Sequence, residues 1–253
     1  MSRDPVESRK DFMVHRRKRA SVVIYTPLSA IMAGPIATGH PPRDASAAVV
    51  VAHPDDEVLW CGGFILAHPE WRWRIFTLCR AGDADRAPKF RAALGELGAT
   101  GAMADLDDGP EQVPLDAAVL ENTVADLVSP EPCDLLLTHG PGGEYTRHRR
   151  HEECCRAVVE LWVSGRIETK CLWMFAYEDG RRAYLPRAQG DAHRHMMLEP
   201  DLLWRKRRLI ERVYGFPPDS WEARANPAEE AFWCFDTPAA AAVFLTNHQP
   251  QTP

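Results

Sequence analysis

The sequence predicts an α/β protein with a Rossmann-like, mostly parallel sheet and helices on both faces. Short apolar runs alternate with segments of helical spacing between residues 46 and 180, and such alternation is typical of parallel strands joined by crossover helices. The runs at 47–52 and 133–138 are apolar almost throughout, as expected for strands that are buried on both faces. Polar, reactive side chains follow both runs directly, at the sheet edge where ligands bind in open α/β folds.

The first half of the chain supplies three strands and two helices. The β-branched run Val49-Val50-Val51 predicts a strand over 47–52, and residues 57–67 follow as its helix. The alternation in Arg-Ile-Phe-Thr-Leu-Cys predicts a second strand over 74–79, followed by a helix over 87–97. A short apolar segment at 101–106 predicts the third strand.

The second half begins in the same way and then becomes less regular. Residues 115–128 have the 3.6-residue spacing of an amphipathic helix, and 133–138 form a compact buried strand. A helix over 148–163 and a fifth strand over 171–177 come next. From residue 178 onwards we expect an irregular C-terminal extension that extends the sheet and walls a pocket. It contains a strand-like stretch at 193–198, a basic helix at 201–212, and an aromatic tail with Trp221, Phe232, Trp233 and Phe235.

Residues 1–45 differ from the rest in being basic and interrupted by prolines. They predict a poorly ordered extension, whereas 46–253 predict a single α/β domain. Basic residues followed by the apolar stretch 21–25 are also found in export signals. Pro27 interrupts that stretch, and no clean small-x-small cleavage site follows it, so an export signal is the less favoured interpretation.

The composition narrows the function classes. Of 253 residues, 45% are hydrophobic and 26% charged, which is ordinary for a globular protein. The formal charge of -6 disfavours a nucleic-acid partner. The sequence contains no run of about 20 apolar residues, so we expect no stable membrane insertion. Seven cysteines without a Cys-x-x-Cys pair indicate reduced thiols and therefore the cytoplasm.

Two motifs carry the chemistry. The first, Ala52-His-Pro-Asp-Asp-Glu57, follows the first strand; the second is Thr138-His-Gly-Pro-Gly-Gly-Glu-Tyr-Thr-Arg-His-Arg-Arg-His151, which leaves a buried strand and starts a helix. Two parallel strands can therefore bring His53, Asp56 and His151 to one point. Two imidazoles and a carboxylate suit one zinc ion in a hydrolytic site, although iron or cobalt can use the same ligands.

The neighbouring residues predict the rest of the catalytic machinery. Asp55 projects differently from Asp56 and can take a proton from water and return it to a leaving amine. His148 lies one helical turn before His151 and can stabilise a developing oxyanion, as a cation if it is protonated.

At these residues the sequence resembles the PIG-L/LmbE-like family of zinc-dependent N-acetylglucosaminyl de-N-acetylases, which includes mycothiol- and bacillithiol-pathway deacetylases. The pattern of residues 52–57 followed by Gly62-Gly63, and the later His148-x-x-His151 element, carry this resemblance over residues 46–180. It implies a deacetylase-like domain in which His53, Asp56 and His151 are the zinc ligands.

The resemblance also assigns the other roles. It implies Asp55 as the general base, His148 as the electrophilic partner of the scissile carbonyl, and a loop tyrosine near Tyr145. Thr146-Arg147 lengthens the usual spacing there, and Arg149-Arg150 replaces the Pro-Asp of many relatives. The expected substrate is a small amino sugar or glycoconjugate, and a homo-oligomer is compatible with the sequence.

Several residues admit two interpretations. Arg80 and Asp83 either hold sugar hydroxyls or lie in a solvated loop with a helix cap. Arg147 either selects an anionic substrate or belongs to a solvated helix face. Glu57 either orients a ligand or is simply an acidic residue in a first helical turn.

The competing functions are an amidase for a larger acyl group or a thiol conjugate, and a sugar-binding relative without turnover. A third alternative uses the basic extension as a tether to nucleic acid or an anionic membrane. The intact Asp55 and its three neighbouring ligands favour an enzyme.

Overall fold

The computed structural model describes residues 44–129 and 131–248, and these residues form a seven-stranded sheet with helices on both faces. The predicted extension 1–45 therefore lies outside the described residues, apart from Asp44 and Ala45, and the proposed domain boundary stays a prediction. Within the described ranges, no helix is both long and apolar enough to cross a membrane.

The elements alternate in the predicted order through the first five strands. They are β1 (Ser46–Val51), α1 (Asp56–Ala67), β2 (Arg72–Cys79), α2 (Arg86–Leu97), β3 (Thr100–Leu106), α3 (Ala117–Val128), β4 (Cys133–Thr138), α4 (Arg149–Val163) and β5 (Thr169–Phe175). All four pairings among these strands are parallel. The predicted fold class is confirmed.

The C-terminal part extends the sheet, as expected, but with the opposite strand direction next to β5. Its elements are β6 (Tyr177–Glu178), β7 (Arg187–Ala188), β8 (Arg194–Met197), α5 (Pro200–Arg208) with a π-helical turn Leu209–Val213, α6 (Trp221–Ala225), β9 (Glu229–Phe235) and α7 (Pro238–His248). The sheet order is β3-β2-β1-β4-β5-β9-β8, and β9 is antiparallel to both of its neighbours.

Strand β1 explains why the core has two layers. Ala47, Val49 and Val51 belong to an apolar cluster with α1 and α2, whereas Ala48 and Val50 belong to a second cluster with α3, α4 and α7. This alternation follows from the two-residue period of a strand. Because both faces are covered, only the ends of β1 and of its parallel neighbours are open to ligands.

Helix α1 is joined to the C-terminal part by a buried carboxylate. Glu230 on β9 accepts hydrogen bonds from the backbone amides of Gly63 (2.7 Å) and Phe64 (2.6 Å) and pairs with the buried Lys206 of α5 at 2.8 Å. A β-carbon on Gly63 would lie 2.3 Å from a methyl group of Leu198. The glycine is therefore needed for close packing.

Candidate metal centre

The first part of the site lies between β1 and α1. The chain turns sharply here because Asp55 has φ 118° and ψ −27°, a backbone conformation that non-glycine residues rarely adopt. His53 thus ends the strand side of the turn, and Asp56 begins the helix. Both side chains reach the same point: His53 Nδ1 lies 3.0 Å from Asp56 Oδ2.

His151 comes to this point from α4, on the neighbouring strand–helix unit. Its Nε2 atom lies 3.3 Å from Asp56 Oδ2 and 3.3 Å from His53 Nδ1. Donors about 2.0–2.1 Å from a tetrahedral ion are roughly 3.3 Å from one another. The three atoms therefore have the spacing of one face of a zinc coordination tetrahedron.

Other candidate ligands lie beside this triangle of donor atoms. His148 forms a group with His53 and His151, and His139 forms one with Asp56 and His151; in each group the donor atoms lie within 4.8 Å of one another. His139 is the poorer ligand because its Nε2 atom accepts a hydrogen bond from the Ala52 amide at 2.9 Å. That atom has no second lone pair for a metal.

A buried carboxylate orients His151. Glu144 Oε2 lies 2.6 Å from His151 Nδ1 and 2.9 Å from His139 Nδ1, and Oε1 accepts from the Gly140 amide at 2.9 Å. Burial opposes ionisation, but the two histidines outweigh it and lower the pKa of Glu144 to about 2. An ionised Glu144 only accepts hydrogen bonds, so the His151 proton is held on Nδ1 and the Nε2 lone pair is directed at the metal position.

A second carboxylate orients His53. Asp108, just after β3, has its Oδ1 atom 3.2 Å from His53 Nε2. Burial opposes the charged imidazolium, but Asp108 and Asp56 outweigh it and raise the pKa of His53. Nε2 makes no hydrogen bond within residues 44–129 and 131–248, so Asp108 acts on it through charge. A proton on Nε2, the side that faces Asp108, leaves the lone pair of Nδ1 for the point between Asp56 and His151.

Asp55 is held beside the donor triangle by two contacts. Its backbone amide donates to Glu57 Oε2 at 3.1 Å, and its Oδ2 atom lies 3.0 Å from an Arg86 guanidinium nitrogen. Burial and the adjacent Asp56 raise its pKa well above the ordinary value. A raised pKa makes the carboxylate a stronger base, which suits a group that accepts a proton and later releases it.

Glu57 is a buried partner of the Asp55 backbone and makes no hydrogen bond to a proposed metal ligand among the described residues. Its other oxygen accepts a hydrogen bond from the Tyr214 hydroxyl at 2.5 Å. Burial raises the pKa of Glu57 to about 7. Because its carboxylate accepts from the Asp55 amide, it stabilises the strained turn that aims Asp55.

His148 packs against both metal-directed imidazoles. Its ring centroid lies 4.6 Å from that of His53 and 4.5 Å from that of His151, and its buried Nδ1 has no hydrogen-bond partner within residues 44–129 and 131–248. Burial, with the two neighbouring histidines, lowers the pKa of His148 to about 3. In its neutral form the ring can donate a hydrogen bond but does not bring the positive charge that the sequence suggested.

The predicted substrate-binding residues differ in how they are held near the site. Arg80 makes two hydrogen bonds to Asp108, at 2.9 and 2.5 Å, and therefore borders the site. Asp83 accepts hydrogen bonds from two backbone amides at the start of α2, which is the capping role of the alternative interpretation. Arg147 is bonded through two nitrogens to Glu152, which holds its guanidinium on the side of α4.

Tyr145 packs against the site directly. Its ring lies 5.4 Å from that of His151 and 5.8 Å from that of His148. The residues that sequence reasoning missed are Glu144, Asp108 and Arg86. Glu144 lies inside the quoted second motif, and Asp108 follows a predicted strand, so the position of Asp108 at a sheet edge was the available signal.

The comparison with known families agrees with this geometry. Residues 48–162 match the family model described as PIG-L: GlcNAc-PI de-N-acetylase, and this range contains every residue of the donor triangle. The resemblance to the PIG-L/LmbE-like family is confirmed over this range. No functionally curated protein matches the sequence significantly.

Solved structures show the same fold at low identity. The N,N'-diacetylchitobiose deacetylase from Pyrococcus horikoshii is 15% identical, with a TM-score of 0.60 over 83% of this chain and 89% of that chain. A deacetylase of the teicoplanin biosynthesis pathway is 14% identical, with a TM-score of 0.52 over 75% and 97%. The 4-carboxy-2-hydroxymuconate hydratase of Pseudomonas putida is 14% identical, with a TM-score of 0.53 over 75% and 95%.

Proposed function

We propose that this protein is a metal-dependent hydrolase that removes the N-acetyl group from an N-acetylated amino sugar or glycoconjugate. One observation carries the proposal: three donor atoms at 3.0–3.3 Å spacing lie beside the partly buried carboxyl group of Asp55, which is not one of the three donors. Because a hydratase has the same fold, the proposal depends on the site and the family, not on the architecture.

His53, Asp56 and His151 would hold one metal ion, for which zinc is the preferred candidate. When bound, zinc would polarise the amide carbonyl and lower the pKa of water at the site. Asp55 would accept the proton of the attacking water and later deliver it to the departing amine. A neutral His148 would donate a hydrogen bond to the oxygen that gains negative charge. Acetate and a free amine result.

The substrate would lie over the edge formed by the ends of β1, β2 and β4. Arg80 and Asp108 offer a charged pair at this edge that suits sugar hydroxyls, and Tyr145 would line the opposite side. Asp83 would act mainly through the loop that it caps. Arg147 would first have to leave Glu152 before it met an anionic substrate.

The cellular setting is also a proposal. The seven cysteines are free, which suits a reducing compartment such as the cytoplasm.

A panel of N-acetylated sugars and glycoconjugates, assayed for amine release with and without a chelator, tests the activity. We expect chelator-sensitive release by the wild type, and Asp55→Asn should keep its metal but lose most turnover. His151→Ala should lose metal. Chelator-resistant amine release, or full activity in Asp55→Asn, would overturn the mechanism.

A further inference from the structure

The segment 214–221 runs from the π-helical turn to α6 and contacts the site at both of its ends. Its sequence is Tyr-Gly-Phe-Pro-Pro-Asp-Ser-Trp. At the first end, the Tyr214 hydroxyl bonds the buried Glu57 carboxylate, which in turn holds the amide of the proposed base Asp55. This segment is therefore part of the wall of the site.

Two aromatic side chains of this segment lie against residues of the site. The Phe216 ring has the guanidinium of Arg86 4.5 Å from its centroid, and this guanidinium bonds Asp55. The Trp221 ring lies 4.7 Å from the Tyr145 ring in an edge-to-face arrangement. Phe216 thus reaches the side of the base, and Trp221 reaches the side of the histidines.

The backbone between these two rings is stiff. Two consecutive prolines follow Phe216, and each fixes its own φ angle. The Ser220 amide donates to the Pro217 carbonyl at 2.9 Å, which closes a turn before α6. The position of Trp221 is therefore set before a ligand arrives, so little side-chain freedom is lost when a ring packs on it.

Trp221 keeps 38% of its surface exposed, although it packs on Tyr145. A single exposed aromatic residue is normal on a protein surface. Here, however, the exposed ring contacts a tyrosine that itself packs on His148 and His151. Solvent-accessible aromatic surface is thus present next to the proposed reaction centre.

We propose that Trp221 is an apolar platform for the ring face of the substrate. The carbon-bound hydrogens of a pyranose form a weakly polar face that packs well on an aromatic ring. The platform therefore selects N-acetyl amines carried by a six-membered ring over acyclic N-acetyl amines of similar polarity. This inference rests on the proposed deacetylation and deepens it by naming a residue that determines substrate specificity.

Steady-state kinetics with two acetamides tests the platform. The ring substrate is methyl 2-acetamido-2-deoxy-glucopyranoside, and the acyclic substrate is N-acetylserinol. For Trp221→Ala we expect KM for the glycoside to rise roughly three- to tenfold with kcat little changed, as for the loss of one aromatic contact. KM for the acyclic substrate should not change. In Trp221→Phe, KM for the glycoside should return most of the way to the wild-type value.

Trp204→Ala is the matched control. Trp204 is also exposed, at 59%, and it packs against Arg208 on α5 instead of against the site. Both alanine variants should melt within a few degrees of the wild type, and the control should keep the wild-type KM. The platform is refuted if Trp221→Ala raises KM equally for the two substrates, or for neither of them.

A binding measurement separates this inference from the proposed function. Metal-loaded Asp55→Asn protein, which should not turn over, is titrated with the methyl glycoside by calorimetry, both with Trp221 intact and with the additional Trp221→Ala substitution. Weaker binding after the Trp221→Ala substitution supports the platform, whether or not the wild type releases amine. Absence of amine release by the wild type would refute only the deacetylase proposal. Equal binding with and without the substitution, or no binding in either protein, refutes the platform even if deacetylation is observed.

Discussion

Glu144 provides the sharpest test of how the metal centre is built. Its carboxylate accepts three hydrogen bonds, from His151 Nδ1, His139 Nδ1 and the Gly140 amide. In Glu144→Gln the amide keeps one acceptor oxygen and gains an NH₂ group that faces N–H donors. Because Oε2 serves both imidazoles and Oε1 serves the Gly140 amide, the NH₂ group faces either the two imidazoles or that amide. The neutral amide also accepts more weakly than a carboxylate, so the His151 tautomer that directs Nε2 at the metal is less firmly fixed.

The substitution should weaken metal binding and also lower the stability of the fold. Loss of an orienting partner typically weakens metal binding about 10- to 100-fold, or roughly 1.4–2.7 kcal/mol. Stability falls as well: a carboxyl whose pKa drops from 4.5 to about 2 contributes roughly 3 kcal/mol to folding. That contribution is present above pH 4.5 and disappears as the pH falls towards 2, because protonation then removes the charged acceptor.

Glu230→Gln is the matched control, since Glu230 is another buried carboxylate with three N–H partners, those of Gly63, Phe64 and Lys206. Both variants should melt at lower temperature in circular dichroism. Only Glu144→Gln should bind zinc more weakly in competition with a chromophoric chelator. Wild-type zinc affinity in Glu144→Gln, or an equal loss in the control, would refute the orienting role.

Three further changes have predicted outcomes. Gly63→Ala should lower the free energy of unfolding by about 1–3 kcal/mol, because the new methyl group would overlap the buried Leu198 side chain. Gly95→Ala should raise it by up to about 1 kcal/mol, because no described atom lies within 4 Å of the new methyl group. Urea denaturation measures both, and equal effects would contradict the packing argument. In the metal-free wild type, Glu57 should contribute a loss of about 3 kcal/mol of stability as the pH rises from 4.5 to 7, because burial raises its pKa in the folded state to about 7. Glu57→Gln should flatten the pH dependence by this amount and leave the share of Asp55, whose pKa is also raised. An unchanged slope in urea denaturation at several pH values would contradict this. Asp179→Asn should lower kcat without loss of metal, because Asp179 accepts hydrogen bonds from the Thr146 amide and hydroxyl, at 2.8 and 2.6 Å, and so fixes the loop that carries Tyr145. Metal analysis and steady-state kinetics on the same preparation check this. Loss of metal in the variant would contradict it.

Local patterns predicted the parallel half of the fold well, because each strand and helix there is marked by its own residues. Strand β9 is different. Its residues 229–235 were interpreted as an aromatic tail, and no local signal states that they insert between β5 and β8 in the antiparallel direction. That placement depends on contacts made across the chain, such as the bonds of Glu230 to α1.

The same difference separates the residues of the candidate site: local sequence patterns predict the metal-directed side chains but not the groups that orient them. His53, Asp56 and His151 were predicted because each directly follows a recognisable strand or lies in the first turn of the next helix. Their orienting partners were not, since a carboxylate near a site in sequence looks like any other acidic residue. Glu144 is seven residues before His151, yet only the folded loop brings its oxygen to within 2.6 Å of the ring.

The distribution of charge in the site links metal binding to the proposed proton transfer. Five carboxyl groups are gathered there, and within the described part of the chain arginines pair with only two of them, Asp55 and Asp108. The five are Asp55, Asp56, Glu57, Asp108 and Glu144. Without a metal, Asp56 raises the pKa of Asp55 because two adjacent buried anions repel each other. A divalent cation on the donor triangle would relieve that repulsion and favour ionised Asp55, so the ion that activates the substrate would also prepare the base.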